Sequence, residues 1–113
     1  MITMINSCVV LIRKPCGHEH ALLGVRASWA MLAAGLEVTV LIMGQGIFSV
    51  FGENGYLSDL YVRFLEQGGL VYAVLEDLEE AGMDVKSLPF DIAVIPASEV
   101  PPLVQKTTSV MTF

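Results

Sequence analysis

Apolar residues fall along this chain in short blocks separated by glycine, proline and charged residues, and the period inside each block sets the element it predicts. Residues 8–12, Cys8-Val9-Val10-Leu11-Ile12, are apolar at every position, which suits a parallel strand covered on both faces and therefore central in its sheet. From about residue 20 to 34 the period becomes helical. Leu22, Val25, Trp29 and Leu32 form one stripe with Arg26 off it, so this helix is expected to lay the stripe, Trp29 included, into the core and to end at Gly35. Residues 36–43, rich in β-branched side chains, predict a second strand closed by Gly44-Gln45-Gly46. Residues 47–51 are too few to assign by period. Ser58 can cap a helix reaching about residue 67 that buries Leu60, Tyr61 and Phe64, and Gly68-Gly69 ends it. Residues 70–75 predict the third strand. Asp77 with Glu80 has the spacing of a capping box for a short helix closing at Gly82. Residues 92–95 read as a fourth strand, Ser98 and Pro101 open a last helix to about residue 105, and residues 109–113 read as a terminal strand.

Strands alternate with helices over the whole length, without repeats or low-complexity linkers, so residues 1–113 are expected to form a single domain. Its predicted architecture is α/β, a three-layer α/β/α sandwich around a largely parallel five-stranded sheet. Right-handed crossovers would bring the loops after the first three strands to one edge. The Cys16 loop, the Gly44–Gly46 turn and the Glu76-Asp77 turn should therefore meet there, and that edge is the expected functional rim.

Composition changes this picture in three ways. A hydrophobic share of 54% and a mean hydropathy of +0.65 demand burial beyond an ordinary small core. The charge-free stretch 38–52 is interrupted by Gly44-Gln45-Gly46 and falls short of the roughly 18 apolar residues a spanning helix needs, so no membrane segment is expected. Arg13 and Lys14 follow the first apolar run instead of preceding it, so no secretory signal is expected either, and the chain reads as cytoplasmic. Excess apolar surface then points to subunit interfaces. A net charge of −6, with only six scattered basic residues, argues against a nucleic-acid-binding face. In a reducing compartment Cys8 and Cys16 are not expected to pair. Cys8 reads as a small core residue, which leaves Cys16 with a chemical role.

The stretch Lys14-Pro15-Cys16-Gly17-His18-Glu19-His20 carries the candidate chemistry. Pro15 and Gly17 break the flanking periodicities, so Cys16 is expected in a short loop near the amino end of a helix, where backbone N–H groups and the helix dipole favour a thiolate. Such a thiolate can attack the sulfane sulfur of a donor, hold it as Cys-S-SH and yield it to an acceptor thiol, with no metal or cofactor. His18, His20 and Gly17 are the supporting residues, His18 by lending positive charge that Glu19 opposes. Cys16, His18 and His20 also suit a zinc-like ion by residue type. His18 and His20, two apart, point to nearly opposite sides of a helix, and no fourth ligand lies nearby, so ordinary loop histidines remain the simpler reading. Gly44-Gln45-Gly46 lacks the spacing and lysine of a phosphate-binding loop and reads as a tight turn, and the carboxylates 76, 77, 79 and 80 read as a solvated helix start. Ile47, Phe48 and Phe51 form a candidate interface patch, the alternative being that they cover the sheet end within one subunit.

Four segments in this order have a counterpart elsewhere: the apolar first strand leading into Pro15-Cys16-Gly17, the strand 41–48 with Gly46-Ile47-Phe48, the helix end Leu78-Glu79-Glu80-Ala81-Gly82-Met83, and the closing Val110-Met111-Thr112-Phe113. Together they resemble the DsrE/DsrF-like family of small sulfur-relay proteins, and within it the DsrF or TusC type of subunit. The resemblance implies a five-stranded α/β fold and assembly into homo-oligomers, trimers or hexamers, or into hetero-oligomers with DsrE-like and DsrH-like subunits. It also implies transfer of persulfide sulfur between donor and acceptor proteins, serving thiolation of transfer RNA or sulfur oxidation. In family members that carry sulfur a cysteine lies near the end of the third strand. Here that neighbourhood is Ala73-Val74-Leu75-Glu76-Asp77, which keeps open a non-catalytic scaffold subunit, beside a small-ligand or metal-binding α/β protein.

Overall fold

A computed structural model describes residues 6–14, 19–50, 55–88 and 91–113. Strands β1 (Ser7–Ile12), β2 (Glu37–Ile42), β3 (Leu70–Val74), β4 (Ala93–Ile95) and β5 (Ser109–Thr112) pair in the order β4-β3-β2-β1-β5, and every pairing is parallel. Helices α1 (Glu19–Ala33), α2 (Gly55–Glu66), α3 (Leu75–Glu80) and α4 (Val100–Gln105) alternate with them, together with 3₁₀ turns at Gly44–Ser49, Val85–Ser87 and Ala97–Glu99. The α/β sandwich with a parallel five-stranded sheet is thus the observed fold. Residues 47–51, left without a state by their period, belong in their described part to the first 3₁₀ turn and the Val50 that caps it.

The register explains the uninterrupted apolar runs. Val10 lies beside Val40 and Val9 beside both Thr39 and Val110, so β1 has a neighbour on each flank and side chains packed on each face. On one face Cys8, Val10 and Ile12 join Val38, Val40, Ile42, Val71 and Ala73 under α1, α2 and Leu78 of α3. On the other, Val9, Leu41 and Val74 pack with Leu11, Met43, Tyr72 and Ile95 under Val100, Leu103 and Val104 of α4. Both faces of β1 are covered by packed side chains, fully on the α1 and α2 side and partly on the α4 side, so the run does not alternate. The strand at the middle of the order is β2, with β1 beside it.

Three local expectations are corrected. The residues that α1 buries are Ala21, Gly24, Val25 and Ser28, while Trp29 remains 39% exposed and Leu22 and Leu32 are only partly covered. Small residues win that face because the helix lies close on the sheet: a Cβ at Gly24 would run into the Ile12 and Phe113 side chains. Ser28, buried there, returns its hydroxyl to the Gly24 carbonyl at 2.7 Å. Ser58 does not cap α2, which starts a turn earlier at Gly55 and thereby buries Leu57 beside Tyr61 and Phe64. Nor do Asp77 and Glu80 form a capping box. Helix α3 begins directly after Val74 with no side-chain cap, so Asp77 already lies in its first turn and bonds elsewhere.

Candidate functional site

The carboxyl ends of β1, β2 and β3 meet at one rim, held by backbone and carboxylate contacts. The Met43 N–H donates to the Ile12 carbonyl at 3.1 Å and the Gly46 N–H to the Met43 carbonyl at 2.9 Å, which folds the turn after β2 back over the end of β1. Two glycines permit it. Gly44 has φ of +55°, where a side chain is strained, and a Cβ at Gly46 would strike the Ile12 carbonyl, so backbone sits against backbone there. The Gly44 N–H donates to a carboxylate oxygen of Asp77 at 2.7 Å, and the Ala97 N–H donates to both Glu76 oxygens at 2.9 and 3.1 Å. These two carboxylates, expected to serve only as a solvated helix start, tie the loops after β2 and β4 to α3. Glu79 and Glu80 do face water.

Two clefts open on this rim and share Gly44 and Gln45. The smaller, about 210 Å³, is lined also by Phe48, Asp77, Glu80 and Ala81. The larger, about 650 Å³, is lined by Arg13, Lys14, His20, Thr112 and Phe113 in addition to the shared pair. The terminal segment is fastened there, since the Arg13 N–H donates to the Phe113 carbonyl at 2.9 Å and the Phe113 N–H to the Leu11 carbonyl at 2.8 Å. One cleft is therefore acidic and the other basic, with the Gly44-Gln45 turn as their common wall.

Among the residues singled out in the sequence, Cys16, Gly17, His18 and Phe51 lie outside the described residues. His20 lies in the first turn of α1 and lines the basic cleft. Ile47 is fully buried in the core, where it covers the sheet end, whereas Phe48 is 39% exposed and lines the acidic cleft. Neighbouring Ser49 is also sealed, its hydroxyl 2.9 Å from that of Tyr61, so the Tyr61 hydroxyl is partnered inside the core. Arg13 and Lys14 were missed as site residues. Their signal was their place immediately after the first apolar run, used above only to argue against a secretory signal. Cys8 is 1% exposed, and burial pushes its thiol up while a contact with Ser109 pulls it down less, so it stays protonated at neutral pH. Among the described residues no group of three or more His, Cys, Asp or Glu is arranged to hold a metal ion, and no helix is long and apolar enough to cross a membrane.

No family model matches the chain, and no curated protein matches it by sequence. Solved structures do match. The ychN protein from E. coli superposes with a TM-score of 0.83 at 16% identity, over 97% of this chain and 100% of that one. MTH1491 from Methanobacterium thermoautotrophicum, a protein of unknown function, gives 0.78 at 20% identity over 95% and 98%. BT1422 from Bacteroides thetaiotaomicron, a conserved protein of unknown function, gives 0.74 at 10% identity over 96% and 95%. Coverage near completeness on both sides, at such low identity, shows that the chain has the ychN-like fold.

Proposed function

We propose that this chain is a subunit of a cytoplasmic sulfur-relay assembly in which Cys16 carries sulfane sulfur as a persulfide. The observation that carries the reading is the positive charge next to Cys16 in sequence: Arg13 and Lys14 just before it line one cleft at the carboxyl edge of the sheet, and His20 just after it lines the same cleft. Positive side chains beside a thiol favour the thiolate, which is the attacking species. The ychN-like fold is compatible with this role, and the resemblance of four segments to DsrE/DsrF-like proteins supports membership of such an assembly. In the proposed step the Cys16 thiolate attacks the outer sulfur of a donor persulfide. A new S–S bond forms at Cys16, the donor's S–S bond breaks, and the donor leaves as a thiolate that takes up a proton. An acceptor thiolate later attacks the outer sulfur of Cys16-S-SH in the same way and regenerates the Cys16 thiolate.

Intact mass after incubation with a persulfide donor tests the step. The native chain should gain a single sulfur, and Cys16→Ser should gain none, because the buried and protonated Cys8 cannot substitute. An unmodified native chain, or an equal gain in the variant, rejects Cys16 as the carrier.

A second reading, a non-catalytic subunit that organises partners of the DsrE-like or DsrH-like kind, is favoured by one specific observation. The position at which sulfur-carrying relatives hold a cysteine is here the junction of β3 and α3, Ala73-Val74-Leu75-Glu76-Asp77, whose carboxylates fasten loops. Under that reading the chain takes up no sulfur alone, and a partner subunit gains it when both are present.

A further inference from the structure

We infer that the cleft between the ends of β1 and β5 is a binding site for a tetrahedral oxyanion, either a sulfur oxyanion or a phosphoryl group. Two independent features meet there. The first is topological. From β1 the chain steps outward through β2, β3 and β4 on one flank and then returns to lay β5 parallel on the other, so the carboxyl ends of β1 and β5 lie side by side. In open parallel sheets ligands bind in crevices outside the carboxyl ends of the strands, and this cleft lies there. The second is charge. The chain has only six lysines and arginines against twelve carboxylates, yet Arg13 and Lys14 both line this one cleft, with His20 in the same lining. The exposed side chains of Arg13 and Lys14 offer charge-assisted donors, with the Thr112 hydroxyl and the Gln45 amide beside them. Asp77, across the shared turn, has a carboxylate oxygen occupied by the Gly44 N–H, and Glu19 is the carboxylate next to His20 on α1. A cleft of about 650 Å³ falls among small-ligand sites of roughly 300–1,000 Å³, so the oxyanion can belong to a larger molecule.

This inference goes beyond the sulfur-relay reading and does not depend on transfer by Cys16, since binding is scored without any reaction. The experiment is a titration of the ¹⁵N-labelled full chain, followed by backbone amide shifts, with sulfate, thiosulfate and phosphate at constant ionic strength set by sodium chloride. Saturable shifts are expected at Gly44, Gln45 and Thr112. The double substitution Arg13→Ala with Lys14→Ala should weaken binding by roughly tenfold or more, since it removes two charged donors. Arg63→Ala on α2 should leave it unchanged. Tighter binding of thiosulfate assigns the site to sulfur oxyanions, tighter binding of phosphate assigns it to phosphoryl groups, and equal binding of all three supports recognition of the shared tetrahedral dianion. Shifts that merely follow ionic strength, never saturate, or survive the double substitution overturn the proposal. Binding that persists in Cys16→Ser while sulfur uptake is lost separates the two ideas.

Discussion

The rim owes its shape to a few residues whose size matters more than their polarity. Gly46 is the clearest: its α-carbon lies so close to the Ile12 carbonyl that any side chain must displace one backbone segment from another. A flexible side chain can swing aside, but a strand end held by bonds to Met43 and Phe113 cannot. Gly46→Ala should therefore destabilise the fold by about 1–3 kcal/mol, the usual cost of overpacking, read as a lower urea midpoint at unchanged slope. A midpoint equal to that of the native chain would show that the turn has room to move. Cys8 makes the complementary point. It sits in register with Ser109, sealed on a sheet face, and its raised pKa reflects that burial. Chemistry at sulfur is thereby denied to one of the two thiols by packing alone.

Among the elements, α1 and α3 show how packing reassigns what local pattern suggests. Helix α1 approaches the sheet through Ala21, Gly24, Val25 and Ser28, and its large apolar residues fall to the sides of that contact. Helix α3 has only six residues and no side-chain cap, so its own hydrogen bonding contributes little. Its value lies in what it fastens: Leu78 into the core, Asp77 to the turn after β2, and Glu76 to the turn after β4. Losing a hydrogen bond to a half-buried carboxylate costs about 1 kcal/mol. Asp77→Ala is accordingly expected to lower stability by about that much and to speed hydrogen exchange at the Gly44 amide, with Asp77→Asn intermediate because its amide oxygen still accepts. Unchanged protection of Gly44 would mean that the turn is held by its glycines and the Ile12 contact without help from α3.

At the level of the whole molecule, the two faces of the sheet are unequally covered. Helices α1 and α2 seal one face, whereas the other carries the six-residue α4 over Val9, Leu41 and Val74 and leaves Leu11, Met43, Tyr72 and Ile95 only partly covered. At the β5 edge Val110 is 43% exposed, and Leu70 at the start of β3 is 51% exposed. Large apolar side chains left exposed on a sheet face and at its edge can be covered by another subunit. Under the proposed sulfur-relay function, light scattering at micromolar concentration is expected to give an oligomer of the 12.2 kDa chain, a trimer or hexamer as the DsrE/DsrF resemblance implies, or a mixed assembly once DsrE-like and DsrH-like partners are added. A stable 12.2 kDa species that ignores those partners would rule out assembly under both functional readings.

The order of strands and helices was legible in the sequence because it is set by local period. A run such as residues 8–12, apolar at every position, suits a parallel strand covered on both faces better than an amphipathic edge strand. Glycines at 35, 44, 68 and 82, all with positive φ in the structure, closed elements where the chain said they would close. The rim was legible too, as the place where three strand ends must meet. What the period could not carry was which small residues lie against the sheet, because Gly24 and Ser28 give no hydrophobic signal and matter only once Ile12 and Phe113 fill the space beside them. Nor could it tell that Asp77 would reach Gly44, thirty-three residues away, or that Arg13 and Lys14 would share a cleft with His20 and Thr112. Those pairings arise from strand order, and strand order is a long-range choice: β5, last in the chain, pairs with β1, the first strand, and only that closure creates the basic crevice.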